Sequence, residues 1–293
     1  MKLTILGSGT SHGIPVIACD CPVCKSSNPK DKRYRSSVYI ETDEGKYVLI
    51  DIGPEFRIQA LENNIRKVDA LLLTHSHADH LHGIDDLRIF SAAMWKKPDA
   101  IHQKSLEQYN APPIPVYANR STLDDITTRF AYFFVEVKEG GGRAKVDLHE
   151  ATEPFDFYGT KITPVPMMHG HLPTTGWLFS HKRDDGKVHA LAYLTDCSFI
   201  SDESIALINN NCDVLDELII DGLRVREHST HFSFLQAMEV ADKMHPRAVW
   251  MTHITHEANH KEITKYLEEN KKEFENLKDI NVLPAYDRLI IEV

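Results

Sequence analysis

Short apolar runs separated by turn residues fill the first quarter of the chain and predict β-strands. These runs occupy residues 2–6, 37–41, 46–51 and 70–74. Runs of this length, bounded by Gly, Asn and Asp, are typical of strands. Between the last two runs, apolar residues at helical spacing predict a helix over 54–63 that ends near Asn64. The pattern therefore begins with strands and includes a strand-helix-strand step.

The rest of the chain repeats this alternation. Strands are predicted at 114–117, 161–167, 175–180, 189–195, 217–221, 248–252 and 288–293, and helices at 123–131, 232–244 and 261–277. Residues 90–113 are mixed and polar, and we interpret them as a lid insertion over a site. Gly140, Gly141 and Gly142 predict a turn or hairpin tip. The alternation favours an α/β class protein of sheet layers flanked by helices, in one domain over residues 1–293.

Composition and charge narrow the class of protein. The chain has 293 residues, of which 42% are hydrophobic and 26% charged, and no apolar segment approaches the roughly 18 residues of a membrane span. Because residues 1–6 already predict a strand, we expect no signal peptide and a cytoplasmic location. The net charge of -10 argues against a nucleic-acid partner but is compatible with a small anionic substrate.

Four metal-ligand side chains follow the predicted strand 70–74 within six residues: His75, His77, Asp79 and His80. Neutral imidazole and carboxylate are the groups that hold zinc, manganese or iron. A surface histidine run or a tag remnant is the alternative. It fits poorly, because the cluster is internal and follows a strand that should be buried.

Three more candidate ligands lie far along the chain, each just after a predicted strand: His169, Asp196 and His253. Any one of them alone would be an ordinary structural residue. Together with the cluster they indicate a site built from several strand ends, with enough ligands for two divalent metal ions.

The segment Thr74 to His80 resembles the HxHxDH signature of metallo-β-lactamase-fold hydrolases, and Asp51 matches the acidic motif that precedes it. The resemblance implies a four-layer αββα sandwich with the site at one edge. It also implies the ligand sets. His75, His77 and His169 would hold one metal, Asp79, His80 and His253 the other, and Asp196 would bridge. Zinc and manganese suit these ligands equally.

A cysteine cluster narrows the resemblance. Cys19, Cys21 and Cys24 follow a Gly-rich loop, and His256 lies three residues after His253. The arrangement is similar to that of PhnP-type phosphodiesterases, in which such a loop and a second His bind a separate structural zinc. Three thiolates and one His complete a tetrahedral zinc site. Three free thiols on a loop are the alternative.

The PhnP resemblance implies a phosphodiesterase for a small cyclic or diester phosphate. The two cations would acidify a water enough to supply hydroxide that attacks phosphorus. Asp79, which would bind one of these cations, therefore counts as a catalytic residue. The departing alkoxide needs a proton donor, for which His231, expected to open the helix 232–244, is the candidate and His228 the rival. His171 would touch a substrate phosphate or face solvent. Asp51 would orient a ligand imidazole or cap a helix.

Other functions remain open at this stage. A tRNase Z type of RNA processing shares the metal ligands, but the negative charge disfavours it. Lactone or thioester hydrolysis is also open, because ligands alone do not choose among the chemistries of this fold. A non-catalytic PqqB-like binding protein ranks last, since all seven ligands are present. A homodimer is a possible assembly.

Overall fold

The computed structural model describes residues 1–91, 112–135 and 143–293. The helices in these residues are α1 (Phe56–Glu62), α2 (Ala78–Leu81), α3 (Arg88–Ser91), α4 (Arg120–Arg129), α5 (Asp202–Asn210), α6 (Phe234–Asp242) and α7 (His260–Asn270). The strands are β1 (Lys2–Gly7), β2 (Ser37–Glu41), β3 (Tyr47–Ile50), β4 (Ala70–Leu72), β5 (Ile114–Ala118), β6 (Val146–Glu150), β7 (Phe155–Phe157), β8 (Thr160–His169), β9 (Leu172–Lys182), β10 (Val188–Leu194), β11 (Val214–Asp221), β12 (Ala248–Thr252), β13 (Asn281–Pro284) and β14 (Ile290–Glu292).

The strands form two mixed seven-stranded sheets. The first has the order β14-β1-β2-β3-β4-β5-β6, and the second the order β13-β12-β11-β10-β9-β8-β7. Strands β3 to β6 run parallel to one another, as do β10 to β13. Because the carboxyl ends of parallel strands share an edge, the loops that follow them collect there.

Apolar side chains of both sheets meet in one central core. Leu3, Val38 and Val48 of the first sheet belong to the same buried cluster as Trp177 and Tyr193 of the second. Buried residues of α1 and α4 cover the outer face of the first sheet, and those of α5, α6 and α7 cover the outer face of the second. These are the four layers of the αββα sandwich, which confirms the predicted fold class.

The two sheets are joined at the edge where the metal-ligand motif begins. The amide of Thr175 on β9 donates to the carbonyl of Thr74, 2.9 Å away, so the residue before His75 is tied to the opposite sheet. Left-handed backbone conformations occur at three positions just after strands at this edge. They are Asp51, Asp196 and His253, with φ of 59°, 55° and 59°. Such conformations are unfavourable for residues other than Gly and collect at functional sites.

Several elements differ from the sequence-based predictions. Strands β6, β7 and β13 and helix α5 were not predicted, and the helix predicted over 261–277 ends at Asn270 before a short 3-10 turn. The helix predicted over 232–244 begins at Phe234, because Ser233 caps it by accepting a hydrogen bond from the amide of Gln236. His231 therefore precedes α6 and does not open it, which corrects the prediction.

The predicted lid insertion at 90–113 and the turn at 140–142 fall almost entirely outside the described residues. None of the helices in the described parts of the chain has the length and apolar character needed to traverse a lipid bilayer.

Candidate metal centre and active site

The first group of candidate ligands combines two residues of one loop with one residue at the end of a strand. His75 and His77 lie between β4 and α2, and His169 is the last residue of β8. One donor atom from each lies within 4.8 Å of the others. The Nδ1 atom of His169 is hydrogen-bonded to the carbonyl of Thr230 at 2.6 Å. That contact fixes the ring so that its Nε2 atom turns toward the group.

The second group combines Asp79 and His80 of α2 with Asp196, after β10, and His253, after β12. Their donor atoms also lie within 4.8 Å of one another. The Nε2 atom of His80 is 3.2 Å from a carboxylate oxygen of Asp79 and 3.1 Å from one of Asp196. The Nε2 atom of His253 is 3.2 Å from the other oxygen of Asp196.

Asp196 stands between the two groups. Its Oδ1 atom lies 3.9 Å from the Nε2 atom of His75 in the first group and 3.2 Å from that of His253 in the second. The structure thus brings all seven predicted ligands together at one edge of the sandwich, with Asp196 where a bridging carboxylate would be required. Their roles as ligands remain a prediction.

These side chains fit divalent cations. The Nε2 atoms of His75, His80 and His253 are buried and have no hydrogen-bond partner among the described residues, although leaving buried polar atoms unpaired is costly. The Nε2 atoms of His80 and His253 lie 3.1 and 3.2 Å from the oxygens of Asp196, close to the roughly 3.3 Å that separates two ligands bonded at about 2.0–2.1 Å to one tetrahedral zinc. Buried nitrogen atoms that face one region and have no hydrogen-bond partner indicate that a cation binds in that region.

The electrostatics of the second group favour a positive charge at its centre. Burial opposes ionisation of Asp79 and Asp196, but the neighbouring His80 and His253 outweigh it and lower the pKa of both carboxyls. Burial also works against a charged His80, yet the surrounding carboxylates raise its pKa well above the usual value. Burial lowers the pKa of His75 and keeps it neutral. Carboxylate and neutral imidazole are the forms that bind metals, so a cation at this centre would take the place of the proton on His80.

A second layer of contacts orients the candidate ligands. Asp51 is fully buried, and one of its oxygens lies 2.7 Å from the Nδ1 atom of His80 while the other accepts from the amide of Thr74 at 2.9 Å. This is the contact that the predicted orienting role of Asp51 requires. Asp125 and Arg129 of α4, which sequence reasoning missed, bind the side chain and the carbonyl of Ser76 between the first two His ligands.

His231 lies beside both groups without belonging to either predicted ligand set. Its ring centre is 4.4 Å from that of His169 and 4.5 Å from that of His253. Its Nδ1 atom is 2.7 Å from a carboxylate oxygen of Asp221, the last residue of β11. Asp221 was missed from the sequence, although it ends a predicted strand as the other site residues do. Because Asp221 accepts the Nδ1 proton, the Nε2 atom is the one free to exchange a proton with a substrate.

The two other candidate histidines lie further out. His228 is exposed, and its ring centre is 5.4 Å from that of His231. Its Nδ1 atom accepts hydrogen bonds from the amide and hydroxyl of Thr230. His171 is exposed in the turn between β8 and β9, and no group of candidate ligands among the described residues includes it. The geometry therefore favours His231 over His228 as the proton donor.

The predicted structural zinc site is assembled as the cysteine motif requires. The Sγ atoms of Cys19, Cys21 and Cys24 lie 3.4, 3.3 and 3.5 Å from the Nδ1 atom of His256. One ring nitrogen has a single proton or lone pair and cannot serve three sulfurs by hydrogen bonding. The spacing matches the edges of a tetrahedron with bonds of about 2.3 Å to sulfur and 2.0–2.1 Å to nitrogen. We call these four residues the zinc clip.

The zinc clip contains thiols of unlike character. Hydrogen bonds from the Cys24 amide and from His256 lower the pKa of Cys21 to about 6. Burial instead raises the pKa of Cys24 to about 11. Thiolates are the form that binds zinc, so a cation would have to displace the proton of Cys24 on binding.

The fold and this edge of His and Asp side chains define a metal-dependent hydrolase of the metallo-β-lactamase type. Residues 46–254 match the beta-lactamase superfamily domain, so the chain belongs to that superfamily. A divalent metal requirement follows from the family.

Known proteins similar to the chain place it near the PhnP group. A crystal structure of a diphosphatase from the PhnP family is 35% identical, with a TM-score of 0.78 over 100% of this chain and 97% of that one. An octanoyltransferase from Porphyromonas gingivalis is 36% identical over 261 residues, which are 88% of this chain but only 46% of that protein. The chain thus spans less than half of that relative. Zinc-bound PqqB from Methylobacterium extorquens, at 18% identity, a TM-score of 0.71 and full coverage of both chains, shares the fold.

Proposed function

We propose that this hydrolase is a binuclear metal-dependent phosphodiesterase that acts on a small cyclic or diester phosphate. The observation that carries the proposal is His231, a histidine backed by the carboxylate of Asp221 and placed against both ligand groups. Two separate ligand groups support the binuclear part of it. The 35% identity to a PhnP-family diphosphatase supports phosphate as the reacting group.

The ligand groups would hold the metals as follows. His75, His77 and His169 would hold one divalent ion, Asp79, His80 and His253 the other, and Asp196 both. Ions in such sites lower the pKa of water and neutralise phosphate charge. Asp51 and the carbonyl of Thr230 would keep the rings of His80 and His169 in place.

The role of His231 follows from its hydrogen bond. Asp221 accepts the Nδ1 proton, and burial lowers the pKa of His231, so its imidazolium gives up the Nε2 proton readily. One proton of the attacking water goes to solvent as its oxygen adds to phosphorus; the bond to the ester oxygen then breaks, and the departing alkoxide takes the Nε2 proton of His231. The products are a phosphate monoester and an alcohol, and His231 is left neutral until solvent protonates it again.

A diphosphate diester is the second candidate substrate, because the similar PhnP-family protein is described as a diphosphatase. The departing group is then a phosphate, which is far less basic than an alkoxide. Proton donation by His231 would matter less for that reaction. The importance of His231 thus distinguishes the two substrates.

Other chemistries have weaker support. The net charge of -10 disfavours the long polyanionic substrates of RNA processing. The name octanoyltransferase belongs to a protein of which this chain matches 46%, so acyl transfer cannot be assigned to the matched part. Thioester and lactone hydrolysis are therefore included in the test as competing outcomes.

The test is a comparison of substrates with the purified protein after zinc or manganese is restored. We expect turnover of an aryl or alkyl phosphodiester, or of a cyclic phosphate, above that of a diphosphate diester, a thioester and a lactone. Asp79→Ala should lose about 10³-fold or more, and His231→Ala about 10²-fold on an alkyl diester. His149→Ala, which removes a half-exposed His on β6 that belongs to no group of candidate ligands in the described part of the chain, is the control. Turnover of only the thioester or lactone would refute the proposal.

A further inference from the structure

The loop formed by residues 222–233 controls two of the groups described above. It joins Asp221, at the end of β11, to Ser233, the cap of α6. It contains His231, and the carbonyl of Thr230 holds the ring of His169. Displacement of this loop would therefore move the proposed proton donor and one predicted metal ligand together.

Packing alone cannot hold the outer part of the loop, because residues 225–229 are all exposed. Its base is fixed by backbone hydrogen bonds. Leu223 donates to the carbonyl of Phe232, and Thr255 donates to the carbonyl of Leu223. Between these points and Thr230 the loop needs polar contacts to keep one shape.

Those contacts come from an arginine-glutamate cluster of Arg224, Arg226 and Glu257. An Oε1 atom of Glu257 accepts from Arg224 at 2.9 Å and from Arg226 at 2.8 Å, and its other oxygen accepts from Arg226 at 3.3 Å. Arg224 also donates to the carbonyls of Arg226 and Glu227, both at 3.3 Å. Its side chain is 20% exposed, so these contacts are partly shielded from water.

Glu257 directly follows His256 of the zinc clip in the chain. The loop is thus tied, through one carboxylate, to a segment that is fixed by four predicted zinc ligands. The same segment continues back to His253, two residues before Thr255. A rigid support on one side and an exposed loop on the other are what a positioning contact requires.

We propose that Glu257, with Arg224 and Arg226, is a positioning residue that couples the zinc clip to loop 222–233 and so sets the placement of His231 and His169. The proposal rests on the proposed phosphodiesterase function. An exposed ion pair by itself contributes little. Here one carboxylate engages two guanidinium groups, and one of these also binds two carbonyls of the loop it stabilises.

The first experiment uses the dependence of rate on the leaving group. At saturating metal, kcat is measured for a p-nitrophenyl diester, whose leaving group needs little help, and for an alkyl diester, which needs a proton. In Glu257→Gln and in Arg224→Gln the ratio of aryl to alkyl rates should rise by roughly threefold to tenfold, the effect of one modest interaction. Glu269→Gln, which removes the Lys265 ion pair on the surface of α7, is the matched control and should not change the ratio.

The second experiment does not depend on activity. Hydrogen exchange followed by mass spectrometry should show faster exchange of amides 223–232 in Glu257→Gln than in the wild type, and no such change in Glu269→Gln. If Arg224→Gln fails to fold, Glu257→Gln still decides the question.

The outcomes separate the two proposals. If His231→Ala leaves the aryl to alkyl ratio unchanged, the proposed proton donor is wrong and the phosphodiesterase mechanism fails with it. If His231→Ala raises the ratio but Glu257→Gln changes neither the ratio nor the exchange of the loop, the coupling through Glu257 is refuted and the function stands. If Glu257→Gln speeds exchange of the loop without changing the aryl to alkyl ratio, the coupling through Glu257 is also refuted.

Discussion

Gly53 lies where two backbones approach so closely that no side chain fits. Residues 51–53 run against α2, with the amide of Ile52 donating to the carbonyl of His80 and the amide of Gly83 donating to the carbonyl of Ile52. A Cβ atom on Gly53 would lie 2.2 Å from the carbonyl oxygen of Asp79. The obstacle is backbone, so it cannot turn away as a flexible side chain would. The residue that would have to move is itself a predicted metal ligand.

The effect of Gly53→Ala can be worked from that distance. Ordinary contact begins at about 3.4 Å, so α2 must retreat by about 1 Å. A misplacement of that size costs about 10²-fold in rate. On the proposed phosphodiester substrate we expect kcat/KM to fall by about that factor, and the affinity for a metal held by Asp79, His80 and His253 to fall with it. Steady-state kinetics at several metal concentrations and metal analysis after dialysis measure the two effects.

A matched control isolates the close approach from the general loss of a glycine. Gly45→Ala places a Cβ where no atom lies within 4 Å, but at φ of +68°. It should cost about 1–2 kcal/mol of unfolding free energy through backbone strain and leave the kinetics unchanged. If Gly53→Ala retains wild-type kcat/KM and metal content, the backbone contact with α2 does not fix the ligands, and the reasoning is wrong.

Three further predictions concern the second layer, the zinc clip and pH. Asp51→Ala removes the partner of the His80 Nδ1 atom and should weaken metal binding by about 10- to 100-fold. A competitive chelator titration measures this affinity, and an unchanged value would contradict an orienting role. Cys21→Ser should bind one equivalent of zinc fewer and melt at a lower temperature, by metal analysis and calorimetry, whereas equal zinc content would exclude these thiols as ligands. Burial lowers the pKa of His260 from 6.5 to about 4; Arg33 and Lys30 lower it further, and Asp31 opposes them. The free energy of unfolding that this neutral His contributes above pH 6.5 is therefore lost as the pH falls toward 4. The urea midpoint of His260→Gln should fall less than that of the wild type over this pH interval. If the two midpoints fall in parallel with pH, His260 is not the group responsible.

The residues that gather at the candidate metal centre could be selected from the sequence because they lie at the ends of strongly apolar strands. Once Thr74 to His80 is placed at a strand end, His169, Asp196 and His253 are expected to join it, since each follows another buried strand. The same logic could have found Asp221, which ends β11. It was passed over because it adds nothing to the signature motif, and its role appears only when His231 is seen against it.

Two of the missed strands are too short or too irregular to show a periodic pattern of their own. Strand β7 has three residues, and β13 ends in Pro284 at the edge of its sheet, where a missing amide donor is tolerated. Helix α5 did carry a local signal, with Ser201 as cap and acidic residues in the first turn. The contacts of Arg224 with Glu257 and of Asp125 with Ser76 join residues more than 30 positions apart. Only the assembled fold brings them together.

The left-handed backbones of Asp51, Asp196 and His253 have a consequence for how the protein can evolve. The conformation costs roughly 1–2 kcal/mol for most residues with a side chain and less for Asp, so His253 carries the larger part of this strain. Selection for stability alone would therefore favour Gly or Asn at position 253. A lineage that no longer needed turnover would gain stability by replacing His253, so the strain at this position is a folding cost that accompanies the site.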